Sequence, residues 1–531
     1  MSASPNAPRS VNHWLVAFAV VVPTFMEVLD TTIANVALRY IAGGLSAANI
    51  DSEWVITSYL AANAIILPMS GWLLTRLGRR TYFLLSIAGF TLSSFLCGIA
   101  TSLDQLILFR VFQGLAGGGL QPCSQGILLD SFPKEKQGQG LTVFGLAALV
   151  APVIGPTLGG YITDNYSWRW IFFINVPVGG VALLSCYALV QDPEYLKEER
   201  AKLRKSSFGF DTIGLGLLVI VMVSWEVVLS KGQEWDWFGD PFYRVQTLAG
   251  LFTLGLIGLI IRELRYPAPL VGLRSLADRN FAVAAVVMAC AFAVLYGQTT
   301  SLPAMLQTLF GYDATHSGLV LSPAGIFSVT LLPIVAVLLA RGLDARWLIM
   351  AGLASMAIGN YWLCQMNLDI SPWDVVWARV VLIVGLSLLF TPLNVAAYRN
   401  IPLQQRGAAV GLLSLLRNEG GSVGTSVAQT IQERREQFHL LRLNEYLDGL
   451  NPALTEYLAG LRPILTVYSG DPTAPYVLGY QIIDGVRQQQ AASLAYFDVF
   501  WVFGVVSALL VPLVLLMRRS VAEKGAHLAA E

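Results

Sequence analysis

Fourteen apolar runs, each long enough to cross a bilayer, restrict the fold of this chain more than any other feature. An α-helix rises 1.5 Å per residue, so about 20 apolar residues cross a hydrocarbon core of ~30 Å. The runs lie at roughly 14–36, 54–74, 82–100, 105–128, 139–161, 170–190, 212–230, 246–264, 281–309, 317–340, 347–366, 375–398, 408–432 and 496–517. Only 13% of the residues are charged, against about 25% in soluble domains. The sequence therefore predicts an all-α polytopic membrane protein with 14 transmembrane helices.

The distribution of lysine and arginine predicts on which side of the membrane the termini lie. An even number of spans places both termini on one side. Of the 34 lysines and arginines, 22 fall in segments on that side and 9 on the other, and positively charged loops stay in the cytoplasm. The remaining three lie inside spans and are Arg110, Arg379 and Arg417. We therefore expect both termini to be cytoplasmic and the first span to be uncleaved.

The two halves of the chain carry the same residues at an offset of 269 positions. The matching pairs are Arg110 and Arg379, Pro133 and Pro402, Gly138 and Gly407, and Gly155 and Gly424. Four matches in register indicate two related six-helix bundles, as in transporters whose substrate site lies near the midplane between the halves. We expect an N-terminal bundle at 1–190, a linker with two inserted spans at 191–280, and a C-terminal bundle at 281–531 that includes a periplasmic loop at 433–495. In the linker, Asp192-Pro193 predicts a helix start.

Two carboxylates stand inside the first apolar run, in the segment from Phe25 to Leu38. Glu27 and Asp30 are three residues apart and therefore share one helix face. An ionised side chain at this depth costs about 2.5–3.5 kcal/mol on insertion scales, so it needs a polar cavity, a partner or a proton. Because two neighbouring acids repel each other, the arrangement suits a reversible proton carrier. The alternative is a pair of polar packing residues without chemistry.

Arg110 is the expected counter-charge of these acids. It stands about five residues, or ~8 Å, from the outer end of span 4, and Asp30 stands ~24 Å from the inner end of span 1. In an apolar layer of ~30 Å the two depths agree within about one helical turn. The other interpretation is that the Arg110 side chain extends toward the outer interface.

Two further acids inside spans receive different predictions. Arg417 and Glu419 lie near the midplane of span 13 but point to nearly opposite helix faces, so they should not pair with each other. Glu419 is expected either to contact a cationic substrate or to belong to a structural pair. Glu226, near the outer end of span 7, is expected to be an interfacial residue and not a proton carrier. We expect the substrate cavity to be lined by Asn35, Gln121, Arg417 and Glu419.

Composition and spacing disfavour several functional classes. The four histidines and five cysteines have no metal-ligand spacing, and no CxxC motif or nucleophile–base constellation occurs. The sequence therefore predicts no catalytic residue, no metal and no cofactor, and a membrane-embedded enzyme is disfavoured. A formal net charge of zero gives no indication of nucleic-acid binding. A channel is disfavoured because paired acids and two related halves fit alternating access better.

Three short motifs occur in the first half of the chain. The loop between spans 2 and 3 has the sequence GWLLTRLGRR, which starts at Gly71. Span 4 contains RVFQG from Arg110, and span 5 contains GPTLGG from Gly155. On physical grounds alone, the GWLLTRLGRR loop is a positively charged loop that helps to set the orientation of the protein in the membrane. The third is a packing or hinge element, because Gly155 and Gly159 form a small-residue face and Pro156 permits a kink.

These motifs resemble the signatures GxLxDRxGRR, RxxQG and GPxxGG of the major facilitator superfamily, in which GPxxGG is associated with antiporters. Thr75 stands where the first signature has aspartate, so we expect Asp130 to pair with Arg76 or Arg79 instead. Three longer stretches, LDTTIANVAL, WVITSYLAANAI and ITDNYSWRWIFFINVPVG, are similar to the fourteen-span drug:proton antiporter family of the EmrB type. The resemblance covers nearly the whole chain.

The resemblance implies a major facilitator fold that exports hydrophobic drugs or toxic compounds in exchange for protons. It places proton coupling at Glu27, Asp30 and Arg110. The residues it implies for gating are Gly71, Arg76, Gly78, Arg79, Asp130, Gly155, Pro156 and Gly159. The alternative function on the same scaffold is specific export of an endogenous metabolite, such as a siderophore or a fatty acid.

In Gram-negative bacteria, the resemblance also implies an inner-membrane position and transfer of substrate to a periplasmic adaptor protein and an outer-membrane channel. The segment 433–495 is amphipathic, with a helix start at Asn451-Pro452. Its apolar stripe consists of Phe438, Leu441, Leu447 and Leu450. We expect this stripe either to bind the adaptor or to pack on the protein itself as a lid.

Overall fold

The structure is a computed structural model that describes residues 12–133, 136–192, 211–266, 269–402, 405–448, 450–470 and 474–519. In chain order its α-helices are α1 (His13–Gly44), α2 (Asn49–Ser52), α3 (Trp54–Leu77), α4 (Arg79–Ile99), α5 (Leu103–Gly117), α6 (Leu120–Ser131), α7 (Gln137–Asn165), α8 (Trp170–Phe173), α9 (Asn175–Leu189), α10 (Thr212–Lys231), α11 (Arg244–Arg265), α12 (Arg279–Phe310), α13 (Ala314–Leu321), α14 (Pro323–Ala340), α15 (Ala345–Cys364), α16 (Pro372–Tyr398), α17 (Arg406–Asn444), α18 (Pro452–Ser469) and α19 (Ala474–Val514). The helix start predicted at Asp192-Pro193 lies outside the described residues from Pro193 onward.

Twelve helical segments in the described ranges are long and apolar enough to cross a membrane. They account for every predicted span except 105–128 and 408–432. The first of these is divided at Gly118 and Gly119 into α5 and α6, neither of which is long enough to cross alone. The second lies in α17, which is long enough but rich in small and polar residues. The fold class is thus a polytopic helical membrane protein, and the count of fourteen spans stays a prediction.

Two long helix pairs, α1 with α7 and α12 with α17, pack closely along their length. Glycines at equivalent positions of the repeat permit both contacts. A Cβ atom on Gly155 would lie 2.0 Å from Thr32 Oγ1, and one on Gly424 would lie 2.0 Å from the carbonyl oxygen of Ala293. Small residues allow this close approach of helices in membranes. Because Thr32 follows Asp30 by two residues, α7 also fixes the part of α1 that carries the acids.

The two ends of the helix bundle differ in how its halves meet. We call the end with Asp130 and Asp211 the linker end, and the end with Glu53 and Glu433 the loop end. At the linker end, α3 packs against α17, and a Cβ atom on Gly71 would lie 2.7 Å from a backbone nitrogen of α17. These contacts leave no room between α3 and α17 at this end.

One hydrogen bond at the linker end joins equivalent positions of the repeat. Gln125 Nε2 donates to Asn394 Oδ1 at 2.7 Å, and the two residues are 269 positions apart. Thr142 and Thr391 approach each other nearby, with 3.4 Å between their hydroxyl oxygens. The halves of the repeat are therefore in direct polar contact on the linker side of the molecule.

The motif loop at the linker end joins α3 to α4. Gly78 has φ +88°, a conformation that favours glycine. Arg79 forms an ion pair with Asp130, whereas Arg76 is exposed. Thr75 donates its hydroxyl at 2.8 Å to the carbonyl oxygen four residues earlier in its own helix. Of the two arginines considered for Asp130, the structure therefore selects Arg79.

The predicted loop 433–495 is mostly helical. α17 continues without a break to Asn444, and α19 begins at Ala474, well before the apolar run at 496. The helix start predicted at Asn451-Pro452 is present, since Asn451 Oδ1 accepts a hydrogen bond from the Ala453 amide at 3.0 Å. The charged residues after position 432 end the apolar run but continue the helix, because Glu, Arg, Gln and Leu are strong helix formers.

The inserted helices α10 and α11 pack against each other, and α10 also contacts α3 and α17. Asp211 pairs with Arg262 at 3.0 Å at the linker end of this helix pair. At the loop end, Lys231 Nζ lies 2.8 Å from Glu53 Oε2 of α3. The inserted pair therefore covers the side of the molecule where α3 and α17 meet.

Candidate functional site

A cavity of about 420 Å³ lies between the halves of the repeat and extends from Glu27 to Glu53 and Glu433 at the loop end. Most of the residues that line it are polar. The polar residues are Glu27, Thr31, Asn35, Glu53, Thr57, Tyr59, Arg110, Gln121, Glu226, Ser230, Tyr296, Thr300, Ser301, Asn418, Ser422, Thr425, Ser426, Gln429, Gln432, Glu433 and Tyr496. Polar side chains that converge on a cavity can fix the orientation of a small molecule bound there.

Asp30 and Arg110 form an ion pair beside this cavity. Arg110 Nη1 donates to Asp30 Oδ2 at 2.5 Å, and both side chains are buried. Asp30 Oδ1 accepts two more hydrogen bonds, from Gln113 Nε2 at 3.1 Å and Asn175 Nδ2 at 2.8 Å. The guanidinium also stacks over the Tyr59 ring, 4.3 Å from its centroid. Asp30 therefore has a cation against one carboxylate oxygen and neutral N–H donors on the other.

Glu27 has neutral partners instead. Gln121 Nε2 donates to Glu27 Oε2 at 2.5 Å, and Asn63 Nδ2 and the Tyr59 hydroxyl donate to Oε1 at 3.2 and 3.3 Å. The side chain is 1% exposed and lines the cavity. Glu27 therefore forms no ion pair with Arg110, although it lies on the same face of α1 as Asp30.

A chain of hydrogen bonds connects Glu27 to the second half of the molecule. Arg417 on α17 donates from Nη2 to Gln121 Oε1, while the amide of Gln121 donates to Glu27. Beside it, Asn418 Nδ2 donates to Asn63 Oδ1 at 3.2 Å. The charge on Glu27 is therefore part of a polar bridge between α1, α6 and α17. Asp30, in contrast, has all its partners within the first half.

The other predicted site residues take different places. Asn35 and Gln121 line the cavity, whereas Arg417 and Glu419 lie outside its lining. The helical period explains this difference: Asn418 faces the cavity, and the residues directly before and after it, Arg417 and Glu419, turn away from it. Glu226 was predicted to be interfacial, but it is 2% exposed and lines the cavity. The inserted helix turns it inward against α17, which periodicity within one span could not indicate.

The repeat is asymmetric at the acids. The positions 269 residues after Glu27 and Asp30 are Tyr296 and Thr299. Arg379, the counterpart of Arg110, donates to Gln298 Oε1 at 2.8 Å and to Thr299 Oγ1 at 3.0 Å. The second half thus keeps the buried arginine but has neutral partners where the first half has a carboxylate. At these equivalent positions, only α1 carries carboxylates.

Four polar residues around the acids were missed at the sequence level: Tyr59, Asn63, Gln113 and Asn175. Gln113 belongs to the RVFQG motif and Asn175 to the ITDNYSWRWIFFINVPVG stretch, so both motifs contained a signal for them. Within the described residues, no group of three or more His, Cys, Asp or Glu side chains is placed to hold a metal ion. In this site, buried neutral side chains hold the carboxyl groups of Glu27 and Asp30 in place by hydrogen bonds.

Comparison with known proteins identifies the family to which this arrangement belongs. The profile of the Major Facilitator Superfamily matches residues 20–425. The chain belongs to this superfamily. Within the superfamily, it is similar to the multidrug export protein EmrB of Escherichia coli (strain K12), with 36% identity over 443 residues, 82% of this chain and 84% of that protein.

A second relative is the fatty acid resistance protein FarB of Neisseria gonorrhoeae, with 38% identity over 431 residues, 81% of this chain and 83% of that protein. Among solved structures, the human organic anion transporter MFSD10 (TETRAN) has a TM-score of 0.58 at 14% identity and covers 96% of this chain and 100% of that one. That likeness shows the major facilitator fold alone. The superfamily match and the EmrB relatives make this chain an EmrB-type drug exporter, a transporter and not an enzyme.

Proposed function

We propose that the protein is a proton-driven antiporter that exports hydrophobic compounds by alternating access between two six-helix bundles, 1–190 and 281–531. The observation that carries this proposal is the different bonding of the two acids in α1. Asp30 is held by Arg110 within one bundle, whereas Glu27 takes part in the polar bridge to Arg417 in the other. A proton on Glu27 removes the negative charge that this bridge stabilises.

The exchange follows from where the cavity is accessible. In the structure the cavity extends to the loop end, from which a proton reaches Glu27. Neutralisation of Glu27 weakens its bond to Gln121 and the attraction to Arg417, so the contact between the bundles at the linker end opens. A substrate enters from the linker end, and its binding accompanies release of the proton from Glu27 to that same side. Alternating access requires a carboxylate that can exchange its proton with the loop end in one state and with the linker end in the other. Glu27 is that carboxylate in this proposal.

The orientation belongs to this proposal. With both termini cytoplasmic in a bacterial inner membrane, the linker end faces the cytoplasm and the loop end faces the periplasm. Arg79, Arg80 and the pair of Arg262 with Asp211 then lie at the cytoplasmic surface. The described state is open to the periplasm, the side on which an exporter releases its substrate.

Inverted membrane vesicles test proton coupling directly. Their interior corresponds to the periplasm, so we expect them to accumulate hydrophobic compounds when the interior is acid. A protonophore should abolish the accumulation, because the proton gradient is the proposed driving force. Uptake is measured with a compound panel, in vesicles with and without the protein. Accumulation that a protonophore leaves unchanged would exclude proton coupling.

We also propose that the protein is the inner-membrane part of a tripartite pump with a periplasmic adaptor and an outer-membrane channel. An exposed apolar surface supports this, defined by Leu441, Leu450 and Val467, which are 74%, 87% and 87% exposed. Leu441 lies on the extension of α17, Val467 lies on α18, and Leu450 lies in the connection between these two helices. Apolar side chains this exposed on a helical projection are typical of a protein-binding surface.

Replacing Leu441, Leu450 and Val467 by serine should abolish whole-cell resistance and leave vesicle uptake unchanged, since it removes the adaptor surface and not the cavity. Phe238 and Phe242, which are also exposed at the loop end but lie between α10 and α11, provide the control. Their replacement by serine should change neither property. If the first variant loses vesicle uptake as well, the surface acts as a lid of the transporter itself.

The second candidate function is specific export of fatty acids, which the 38% identity to FarB favours. Arg110 lines the cavity and supplies a positive charge toward which a carboxylate headgroup could be oriented. The same vesicle panel separates the two functions. Uptake restricted to long-chain fatty acids supports this candidate, and uptake of several unrelated compounds supports multidrug export.

A further inference from the structure

A second pair of carboxyl groups lies beside the cavity, at the contact of the inserted helix α10 with α17. Glu226 and Glu419 lie against each other, and Ser422 Oγ donates to Glu226 Oε1 at 3.1 Å. Glu226 is 98% buried, since its exposed fraction is 2%, and it lines the cavity together with Ser422. Glu226 Oε2 and both oxygens of Glu419 are buried and make no well-aligned hydrogen bond, and the Trp225 indole is the neutral donor close to Glu419. Three acceptor oxygens therefore share a buried space with a single neutral donor.

A proton is the simplest group that satisfies these oxygens. Two ionised carboxylates in contact repel each other strongly when they are removed from water, whereas a carboxyl and a carboxylate form a strong hydrogen bond. Glu226 is the single charged residue of α10 before Lys231 at its end. No opposite charge on this helix therefore offsets the cost of removing an ionised Glu226 from water. The pair is thus built to hold one positive charge between the two side chains.

Other charged groups in the described parts of the packed helices do not serve this role. On α10, Lys231 pairs with Glu53 of α3 and with Glu234. Other charged groups on the neighbouring helices have partners of their own, among them Arg417 with Gln121, Glu27 with Gln121, Glu433 with Gln233 and Gln429, Arg244 with Asp240, Arg262 with Asp211, Glu263 with the Val271 amide, Arg434 with Asp236, Arg435 and His439 with Asp498, and Arg442 with Glu445. Each has a partner away from Glu226 and Glu419.

We propose that Glu226 and Glu419 hold one proton between them and exchange it for the charge of a cationic substrate. The proton passes to the water of the cavity when the cation takes its place, so the net charge of the site is −1 before and after the exchange. This inference rests on the proposed proton-coupled export. It adds lipophilic cations as a substrate class, and a second proton that is distinct from the proton of Glu27. Neutral substrates have no charge to exchange here.

The test compares two probes of similar size, the tetraphenylphosphonium cation and neutral triphenylphosphine oxide, on purified full-length protein with a pH-indicator dye. With wild type, we expect the cation to release about one proton more per chain than the neutral compound. Glu226→Gln and Glu419→Gln should each lose this additional proton. Glu445→Gln changes an exposed carboxylate on the same helix α17 and should keep it.

A second measurement does not depend on the variants remaining folded. In wild-type protein, the tetraphenylphosphonium cation should remove an infrared carbonyl band that shifts in D₂O, the signature of a protonated carboxyl group. Equal proton release by both probes, or unchanged release in Glu226→Gln and Glu419→Gln, overturns the exchange site. A different result would contradict the proposed function. It is uptake of triphenylphosphine oxide into vesicles that continues after a protonophore has collapsed the proton gradient.

Discussion

Asp30→Asn should reduce proton-coupled export of every substrate to the level of vesicles without the protein. Asparagine preserves the shape of the side chain but removes the charge that pairs with Arg110 at 2.5 Å. Loss of one partner from a buried ion pair typically costs about 3–5 kcal/mol, because the other charge stays buried without compensation. Substrate uptake into inverted vesicles under an imposed proton gradient measures the effect, with the amount of folded protein determined in parallel.

Glu27→Gln is the matched comparison, one helical turn away on the same face. Glutamine imitates the protonated form of Glu27 and keeps the contact with Gln121, so substrate binding should persist. Gradient-driven export of cationic and neutral compounds should be lost alike, because no proton can leave residue 27. Gradient-driven export that persists in Glu27→Gln would contradict the role of Glu27 as the proton carrier.

Gly424→Ala should prevent stable folding, the largest structural effect expected of any single methyl group in the protein. The added Cβ would lie 2.0 Å from the carbonyl oxygen of Ala293, a backbone atom of α12 that cannot rotate away. Overpacking costs about 1–3 kcal/mol in typical cores and more where backbone must move. The yield of monodisperse protein after detergent extraction and its thermal midpoint both report the loss.

Gly407→Ala serves as the control on the same helix. Its Cβ would lie 3.6 Å from the nearest atom, in ordinary van der Waals contact, so yield and midpoint should stay close to wild type. Gly155→Ala, at the position equivalent to Gly424, meets the hydroxyl of Thr32, a side chain with more freedom to move. It should fall between the other two variants. A normal midpoint for Gly424→Ala would contradict the close packing of α12 on α17.

The parts of this site that depend on depth and charge within one helix could be predicted from the sequence. The agreement in depth of Asp30 and Arg110 predicted their contact, and the structure brings them to 2.5 Å. The same reasoning left Arg76 and Arg79 as alternatives for Asp130, because both stand at the same depth. The structure distinguishes the two arginines by the direction of their side chains. Arg76, in the last turn of α3, is exposed, whereas Arg79, the first residue of α4, reaches Asp130.

The parts that depend on which helices pack together could not be predicted. Glu226 is a single acid near the end of an apolar run, and such a residue is interfacial unless another polar helix faces it. The inserted pair of helices brings α17 to that face, and no pattern in either helix indicates this. Neutral amides such as Asn63 carry a similarly weak signal. Their importance lies in bridging two acids or two helices, which is visible only in three dimensions.

The helical extensions beyond position 432 and before position 496 make the second half of the exporter longer than the membrane is thick. α17 continues for 12 residues, or ~18 Å, and α19 begins 22 residues, or ~33 Å, before its apolar run. Both are unbroken continuations of spans and α18 packs on α19, so they move with those spans as one body. A rotation of that body by ~10° would displace a point ~33 Å away by ~6 Å. The extensions thus form a lever arm, and a partner held at its tip would receive a mechanical signal of each transport cycle without touching the substrate.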